Sequence, residues 1–366
     1  MLASAAKTLD LHLVVQTPQA DDPAVSLAES AILAAIDDVA ATASLAQQCQ
    51  VITFENEFVD LPGLAQLQAK GVCFRPGLAT LQPLLDKYDQ RSYLQSLGLP
   101  VPQFASLTPT VLDEFSLPLV VKARRHGYDG QGTFIVHHPE QLTRFWQSGS
   151  PEQIAAKFMV EAFVPFEREL AVLVARGVTG EIKLHPLVET QQEQQVCRRA
   201  WVAQDLSESV YQQCGAMAER LLTKLEVVGL WGMELFLTTT GQVLVNEIAP
   251  RTHNSGHLSI EACETSQFEQ HLRAICGLPL GSTALKAAGA VMVNLLGFET
   301  ATSDYQDLRQ QLAALPQAKV YWYGKTQARP GRKLGHVTLL LESHEREAAM
   351  AAAAQVEQIW YGAAAK

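Results

Sequence analysis

Two glutamates stand inside otherwise apolar runs, Glu234 in "WGMELFL" and Glu247 in "VLVNEIAP". Burying a lone carboxylate is expensive, so each needs a partner. The two runs read as the arms of a β-hairpin turning near Thr240 and Gly241, and folding it about "TTTG" brings both acids near one point. Oxygen ligands of this kind suit Mg²⁺, which takes one or two carboxylates and completes its shell with phosphate oxygens and water. The alternative is a pair of strand-end acids neutralised by Arg251 and its neighbours. Asn246 is the weaker metal candidate, because strand alternation turns it away from Glu247. The next loop, "APRTHNSGH", gathers side chains that recognise anions or move protons: Arg251, His253, Asn254 and His257.

A second stretch, "KARRHGYDGQGTFIV" from Lys122 to Val136, sets basic side chains ahead of Gly127, Gly130 and Gly132. Glycine buries no side chain and loses the most conformational freedom on folding, so such a loop is there for what its bare backbone approaches. It joins two strand-like runs, "LPLVVKAR" and "TFIVHH", whereas a dinucleotide-binding G-x-G-x-x-G leads from a strand into a helix. Nicotinamide binding is therefore disfavoured. The loop's N–H groups suit polyphosphate oxygens; a flexible hairpin turn is the plain alternative.

With 28 Lys and Arg against 38 Asp and Glu, the net charge of −10 excludes a general nucleic-acid binder. An anionic ligand then requires positive charge gathered locally. Four clusters supply it: Lys122 with Arg124 and Arg125, Arg198 with Arg199, Arg251, and Arg329 with Arg332 and Lys333. No apolar run reaches the roughly 18–20 residues of a membrane span, and the first residues lack a secretory layout, which points to the cytoplasm. The six cysteines form no C-x-x-C pair and read as buried reduced thiols.

The elements that must position these groups follow from periodicity. Residues 1–84 alternate strand-like "LHLVVQ" and "VITFENE" with helix-like "SLAESAILAAIDDVAATASLAQQC" and "LPGLAQLQAKG", the pattern of a parallel sheet with crossover helices. In 85–278, "LLDKYDQRSYLQSLGL" and "SESVYQQCGAMAERLLTKLEV" read as helices. Strands bracket the glycine loop, and "SQFEQHLRAICG" is a helix with Ser266 and Glu269 as a capping box and Gly277 at its end. Residues 279–366 form a small β-rich unit closed by a helix. The class is α/β (α+β), and 366 residues allow two or three domains.

The ensemble resembles the ATP-grasp superfamily. More closely, "GYDGQG", "NEIAPRTHNSGH", "SQFEQHLRAI" and "RPGRKLGH" resemble, in order and over nearly the whole chain, the 5-(carboxyamino)imidazole ribonucleotide synthetases, the ATPase subunits of phosphoribosylaminoimidazole carboxylase. The resemblance implies an ATP-grasp fold with a doubly wound N-terminal domain, a lid over about 100–165 and a β-rich C-terminal domain. It implies a magnesium-dependent, homodimeric ligase of purine biosynthesis in which ATP phosphorylates bicarbonate and the carboxyl group passes to aminoimidazole ribonucleotide. Lys87, Lys122, the flap Gly127, Tyr128, Asp129, Gly130, Gln131, Gly132 and Thr133, the hinge Glu161, Ala162, Phe163 and Val164, and Glu169, Gln192, Asn246 and Glu247 would bind ATP. Within this set Glu161 would meet the adenine amine and Glu169 the ribose. Arg251, His253 and Lys333 would serve catalysis, with the arginine and histidine holding bicarbonate and its phosphorylated form.

Glu55, Tyr128, Asp129, Asn254 and Lys325 would hold the imidazole nucleotide, with Arg332 and Lys333 on its 5′-phosphate; Glu234 and Glu247 would hold Mg²⁺. Three departures stand out. Gln131 replaces an arginine of the family's flap, and Gln191 and Gln192 stand where many relatives carry a histidine. The family's opening strand and G-x-G-Q-L-G turn are missing ahead of "MLASAAK", so the reading expects an unpaired strand edge and weaker nucleotide binding there. A formate-using ligase of the same superfamily and a nucleotide-binding module without turnover are the competing readings.

Overall fold

The computed structural model describes residues 1–125, 127 and 132–362. In the N-terminal part, strands β1 (Val14–Thr17) and β2 (Ser30–Leu33) pair in parallel. β2 falls inside the stretch read above as helix. Its alanine, isoleucine and leucine fit either state, and pairing with β1 decides. The helix starts only at Val39, where the Asp38 carboxylate accepts from the N–H groups of Ala40 and Ala41 at 2.9 and 3.0 Å. "VITFENE" contributes a single parallel bridge, Ile52 to Phe74. Those two residues join Leu45, Leu64, Leu67, Leu78 and Leu81 in a local core.

The stretch expected to form a lid is an antiparallel sheet of β3 (Phe104–Ser106), β4 (Leu119–Ala123), β5 (Thr133–Val136) and β6 (Phe158–Ala162), in the order β3-β6-β4-β5. The glycine-rich segment therefore links paired neighbours, as its sequence context indicates. Gly132 closes this hairpin at φ +84°, where a Cβ would stand 2.9 Å from that of Ala123, so no other residue fits.

The remaining strands are β7 (Phe166–Arg176), β8 (Ile182–Leu184), β9 (Val188–Glu193), β10 (Val196–Val202), β11 (Gly229–Thr238), β12 (Val243–Ala249), β13 (Gly289–Leu296), β14 (Ala301–Thr302), β15 (Ala318–Trp322), β16 (Gln327–Ala328) and β17 (Lys333–Leu341). Nine of them form one sheet, in the order β12-β11-β7-β9-β10-β13-β17-β15 with β8 beside β7; β14 and β16 pair separately. Among the described residues the C-terminal strands thus extend the central sheet and build no sheet of their own beyond that short ladder.

One face of the sheet buries Leu170, Val172, Val174, Met233 and Leu235 against Val210, Cys214, Leu221 and Leu222 of the Glu208–Lys224 helix. Each such side chain contributes about 1.5–3 kcal/mol. Alternation turns Glu169, Ala171, Glu234 and Phe236 to the opposite face. The C-terminal helix, Arg346–Trp360, closes a second core with Trp360, Trp201 and Val293.

Ser266 caps the Gln267–Cys276 helix by accepting from Glu269 N–H at 3.2 Å, but the Glu269 side chain pairs with Arg273 at 2.7 Å, so no reciprocal box forms. Gly277 ends that helix in the left-handed region at φ +73°. Among the described residues no helix is long and apolar enough to cross a membrane. The six cysteines form no disulfide with one another; Cys214 and Cys263 are buried and the other four half-buried.

Candidate active site

The β11–β12 hairpin places Glu234 and Glu247 directly opposite one another, and directly opposed residues share a face of the sheet. Immediately beyond them the register slips: Leu235 pairs with Val245, leaving Asn246 as the extra residue of a bulge. This overturns the alternation argument against Asn246. Its amide reaches the same side, donating to Glu234 Oε2 at 3.3 Å and accepting from Lys122 Nζ at 3.3 Å. Two carboxylates and an amide oxygen form an all-oxygen donor set, the kind a hard cation prefers.

β12 is an edge strand, and the Lys87–Ser96 helix satisfies its exposed backbone. Gln90 accepts from Ile248 N–H at 2.9 Å and donates to Ile248 O at 3.1 Å, while Arg91 donates to Asn246 O. Lys87, one turn before Arg91, puts its ammonium 2.5 Å from Glu247. Burial pushes the Glu247 carboxyl up, but the charge and hydrogen bond of Lys87, together with the charges of Lys122 and Arg91, hold the acid below its ordinary range.

Glu161 is almost fully buried, and its two oxygens go to Arg91 Nε and Lys122 Nζ, each at 2.7 Å. Desolvation alone would raise its pKa; the two cations bring it down to about 2. Burial in turn lowers the Lys122 ammonium, with Glu161 opposing. Its carboxylate is thus engaged inside the protein, where it orients Lys122. The hinge that follows, Ala162, Phe163 and Val164, is the crossing from the lid sheet to β7, with Phe163 exposed.

Glu169 sits on the acid-bearing face, opposite Phe236, and burial together with the nearby Glu234 charge pushes its carboxyl up to about 7. Thr190 pairs with Glu169, and Gln192 lies two residues further along β9, on the same face.

On this same face His253 packs against β11, where Gly232 makes room: a Cβ there would fall 2.7 Å from that of His253. The ring places Nε2 3.2 Å from Glu234 Oε1 and Nδ1 2.8 Å from Ser255 Oγ. Arg251 pairs with Glu57 at 3.1 Å. Asn254 turns its amide inward, where it exchanges two hydrogen bonds with buried Asn294, at 3.0 and 2.7 Å. That reciprocal pair ties the loop carrying Asn254 to β13.

Glu55, His257, Tyr323 and Lys325 line a neighbouring cleft of about 1730 Å³, which exceeds the roughly 300–1,000 Å³ of most ligand pockets. β1, whose one strand partner among the described residues is β2, lines the same cleft. Lys325 donates to Lys333 O at 3.1 Å, tying the two basic residues together, and Arg332 donates to Gln327 O at 2.5 Å. Burial, with His336, Lys333 and His253 adding positive charge, holds the His257 imidazole well below its ordinary value. Of the flap, Gly127, Gly132 and Thr133 are described; Tyr128, Asp129, Gly130 and Gln131 lie outside the described residues.

Two basic clusters serve the fold. Arg124 and Arg125 pair with Asp86, at 2.9 and 3.2 Å, and Arg198 and Arg199 pair with Glu357 of the C-terminal helix, at 3.4 and 2.7 Å. Sequence reasoning missed Gln90, Arg91, Glu57 and Gln267. A signal existed for the first two: Lys87, Gln90, Arg91 and Leu94 share one helix face at i, i+3, i+4 and i+7, and a mostly polar stripe that is nonetheless buried marks a site.

Three family descriptions match the chain in order: a ribonucleotide synthetase preATP-grasp domain over 1–82, an ATP-grasp domain over 92–268, and a phosphoribosylaminoimidazole carboxylase C-terminal domain over 290–350. An N5-carboxyaminoimidazole ribonucleotide synthase of Synechococcus elongatus is 52% identical over 98% of this chain and 92% of its own. The crystal structure of the synthetase from Thermotoga maritima superposes with a TM-score of 0.85 at 35% identity, covering 98% of this chain and 94% of the other. The Aspergillus clavatus synthase, solved with ADP and 5-aminoimidazole ribonucleotide, gives 0.87 at 27% identity, with 99% and 95% covered.

Proposed function

This chain belongs to the N5-carboxyaminoimidazole ribonucleotide synthase family of ATP-grasp proteins, and we propose that it carboxylates 5-aminoimidazole ribonucleotide with bicarbonate at the expense of ATP. A bicarbonate oxygen attacks the γ-phosphorus and the bond to ADP breaks, giving carboxyphosphate. Its C–O bond to phosphate then breaks, releasing CO₂ and inorganic phosphate. The exocyclic amine of the nucleotide adds to CO₂ and loses a proton, leaving the N-carboxy product.

The observation that carries this reading is the face-to-face pair Glu234 and Glu247 beside Lys87, Lys122 and Asn246. Phosphoryl transfer needs placement and charge stabilisation more than covalent catalysis. Glu234, Glu247 and Asn246 would hold Mg²⁺, which supplies charge neutralisation on the phosphates when bound. Lys87 and Lys122 supply positive charge to the same oxygens. Lys122 is kept in place by Glu161, so its ammonium costs no reorganisation at the moment of reaction.

In the loop after β12, His253 meets Glu234 and Arg251 meets Glu57, and bicarbonate and carboxyphosphate would bind to this histidine and arginine. Glu55 and Lys325, in the neighbouring cleft with Arg332 and Lys333 at its basic loop, would take the imidazole nucleotide and its phosphate. Carboxyphosphate hydrolyses readily, so a lid carried by β4 and β5 serves to exclude water. Reduced cysteines and the family's place in purine synthesis support a cytoplasmic enzyme. A homodimer follows from the family resemblance, and light scattering on the purified chain tests it.

The test of the reaction is ADP release with each acid in turn. The reading predicts release that requires both bicarbonate and aminoimidazole ribonucleotide. Release with formate in place of bicarbonate would favour the transformylase type.

A further inference from the structure

Gln267, the first residue of the Gln267–Cys276 helix, is fully buried and connects two histidines that the sequence separates by four positions. His253 N–H donates to Gln267 Oε1 at 2.8 Å. A main-chain N–H can only donate, so this bond fixes which end of the amide is oxygen. The amide nitrogen then donates one hydrogen to His253 O at 2.8 Å and the other to His257 Nδ1 at 2.9 Å. One carboxamide thus grips the His253 main chain at both its N–H and its C=O, as a neighbouring strand would. Because both hydrogens are donated, His257 Nδ1 must be the bare nitrogen, and the neutral ring carries its proton on Nε2.

We propose that Gln267 is a positioning residue for the carboxyl-transfer chemistry: it holds His253 against Glu234 and locks His257 as an Nε2–H donor lining the nucleotide cleft. The role in turnover rests on the carboxylation reading above; the tautomer lock does not. The surroundings leave His253 little other freedom. Gly232 lies beneath its Cβ, Ser255 Oγ is 2.8 Å from Nδ1 and Glu234 is 3.2 Å from Nε2, so the main-chain clamp sets how the ring meets the acid. His257 is packed between the rings of Phe268 and His336, at 5.4 and 5.1 Å between centroids. Packing sets the ring's plane, and among the described residues it is the donor from Gln267 that sets its proton.

No other common side chain of this size does the same. Glutamate keeps the shape and the acceptor for His253 N–H but has no hydrogen to give; methionine keeps the volume and has neither. The experiment uses the full chain with ¹⁵N-labelled histidine, comparing wild type, Gln267→Glu and Gln267→Met, with His257 assigned from the spectrum of a His257→Gln variant. In wild type the His257 ring shows the Nε2–H tautomer. Gln267→Glu moves the proton to Nδ1, where the carboxylate accepts it, and Gln267→Met gives a mixture.

In the same variants kcat falls about 10- to 100-fold, the cost of a sub-ångström misplacement, with KM for ATP unchanged. A tautomer that ignores both substitutions overturns the lock, and so does a wild-type ring protonated on Nδ1. Folded variants that turn over at the wild-type rate overturn the positioning role. A wild type that releases no ADP with bicarbonate contradicts the carboxylation reading, and the ring-nitrogen signals still decide the lock.

Discussion

Glu234 and Glu247 face each other across the β11–β12 hairpin, and the slip in register directly beside them turns Asn246 to their side. A regular hairpin would present two oxygen-bearing side chains there; the bulge makes it three. The same slip leaves Asn246 O to Arg91, which ties the acid pair to the Lys87–Ser96 helix and brings Lys87 to Glu247.

Glu247→Gln removes the charge that Lys87 meets at 2.5 Å while keeping the shape of the side chain. With its cation ligand lost, ADP release should fall by about 10²-fold or more. Circular dichroism should stay native. Near-wild-type turnover at ordinary magnesium would remove the metal assignment.

Glu161→Gln leaves Arg91 and Lys122 buried without the carboxylate that meets both, so unfolding free energy should drop by about 3–5 kcal/mol. The pH dependence follows from the pKa of about 2, depressed from an ordinary 4.5. The ionised form is favoured in the folded state, so the stabilisation is complete above about 4.5 and fades as pH falls toward 2. Urea titrations should therefore show the gap between wild type and variant narrowing in acid. A gap that stays constant with pH contradicts the ion-triad account.

These two acids also mark how far the sequence could be read. The apolar setting of Glu234 and Glu247 announced a shared partner, and alternating periodicity gave the hairpin that joins them. Asn246 was misplaced because a bulge depends on one residue of slippage that no pattern of period two records. The Arg91 partner of Glu161 is not legible because it lies 70 residues away on a helix with no apolar stripe. β2 was read as helix because alanine and leucine fit both states until a neighbouring strand chooses. The basic clusters misled for a related reason: Arg124, Arg198 and Arg199 look like anion sites until Asp86 and Glu357 are folded beside them.

Glu169 carries the opposite sign. Burial and the Glu234 charge raise its pKa to about 7 from 4.5, so the folded state binds the proton more tightly than the unfolded chain. Folding is penalised as pH rises above 4.5, and the penalty is complete above about 7. Glu169→Gln should raise the Tm of the ligand-free protein by several degrees at about pH 8 and by little below about pH 4.5. Its KM for ATP should rise, since the carboxylate is the proposed ribose contact. An unchanged Tm at high pH would show that Glu169 is not penalised by its surroundings.

Lys333→Ala removes an ammonium from the basic loop proposed for the 5′-phosphate. The expected result is a rise of about 10- to 100-fold in KM for the imidazole nucleotide, the worth of one charge-assisted hydrogen bond, with KM for ATP held within about twofold. Equal losses for both substrates would place Lys333 in the ATP site.

The most direct measurement follows ¹³C-bicarbonate through one turnover in the presence of ATP and 5-aminoimidazole ribonucleotide. Carbon NMR should show a carbamate carbon appearing on the nucleotide in step with ADP, one for one. ADP formed without labelled carbamate, or carbamate formed at the same rate without ATP, would contradict the coupled carboxylation proposed for this site.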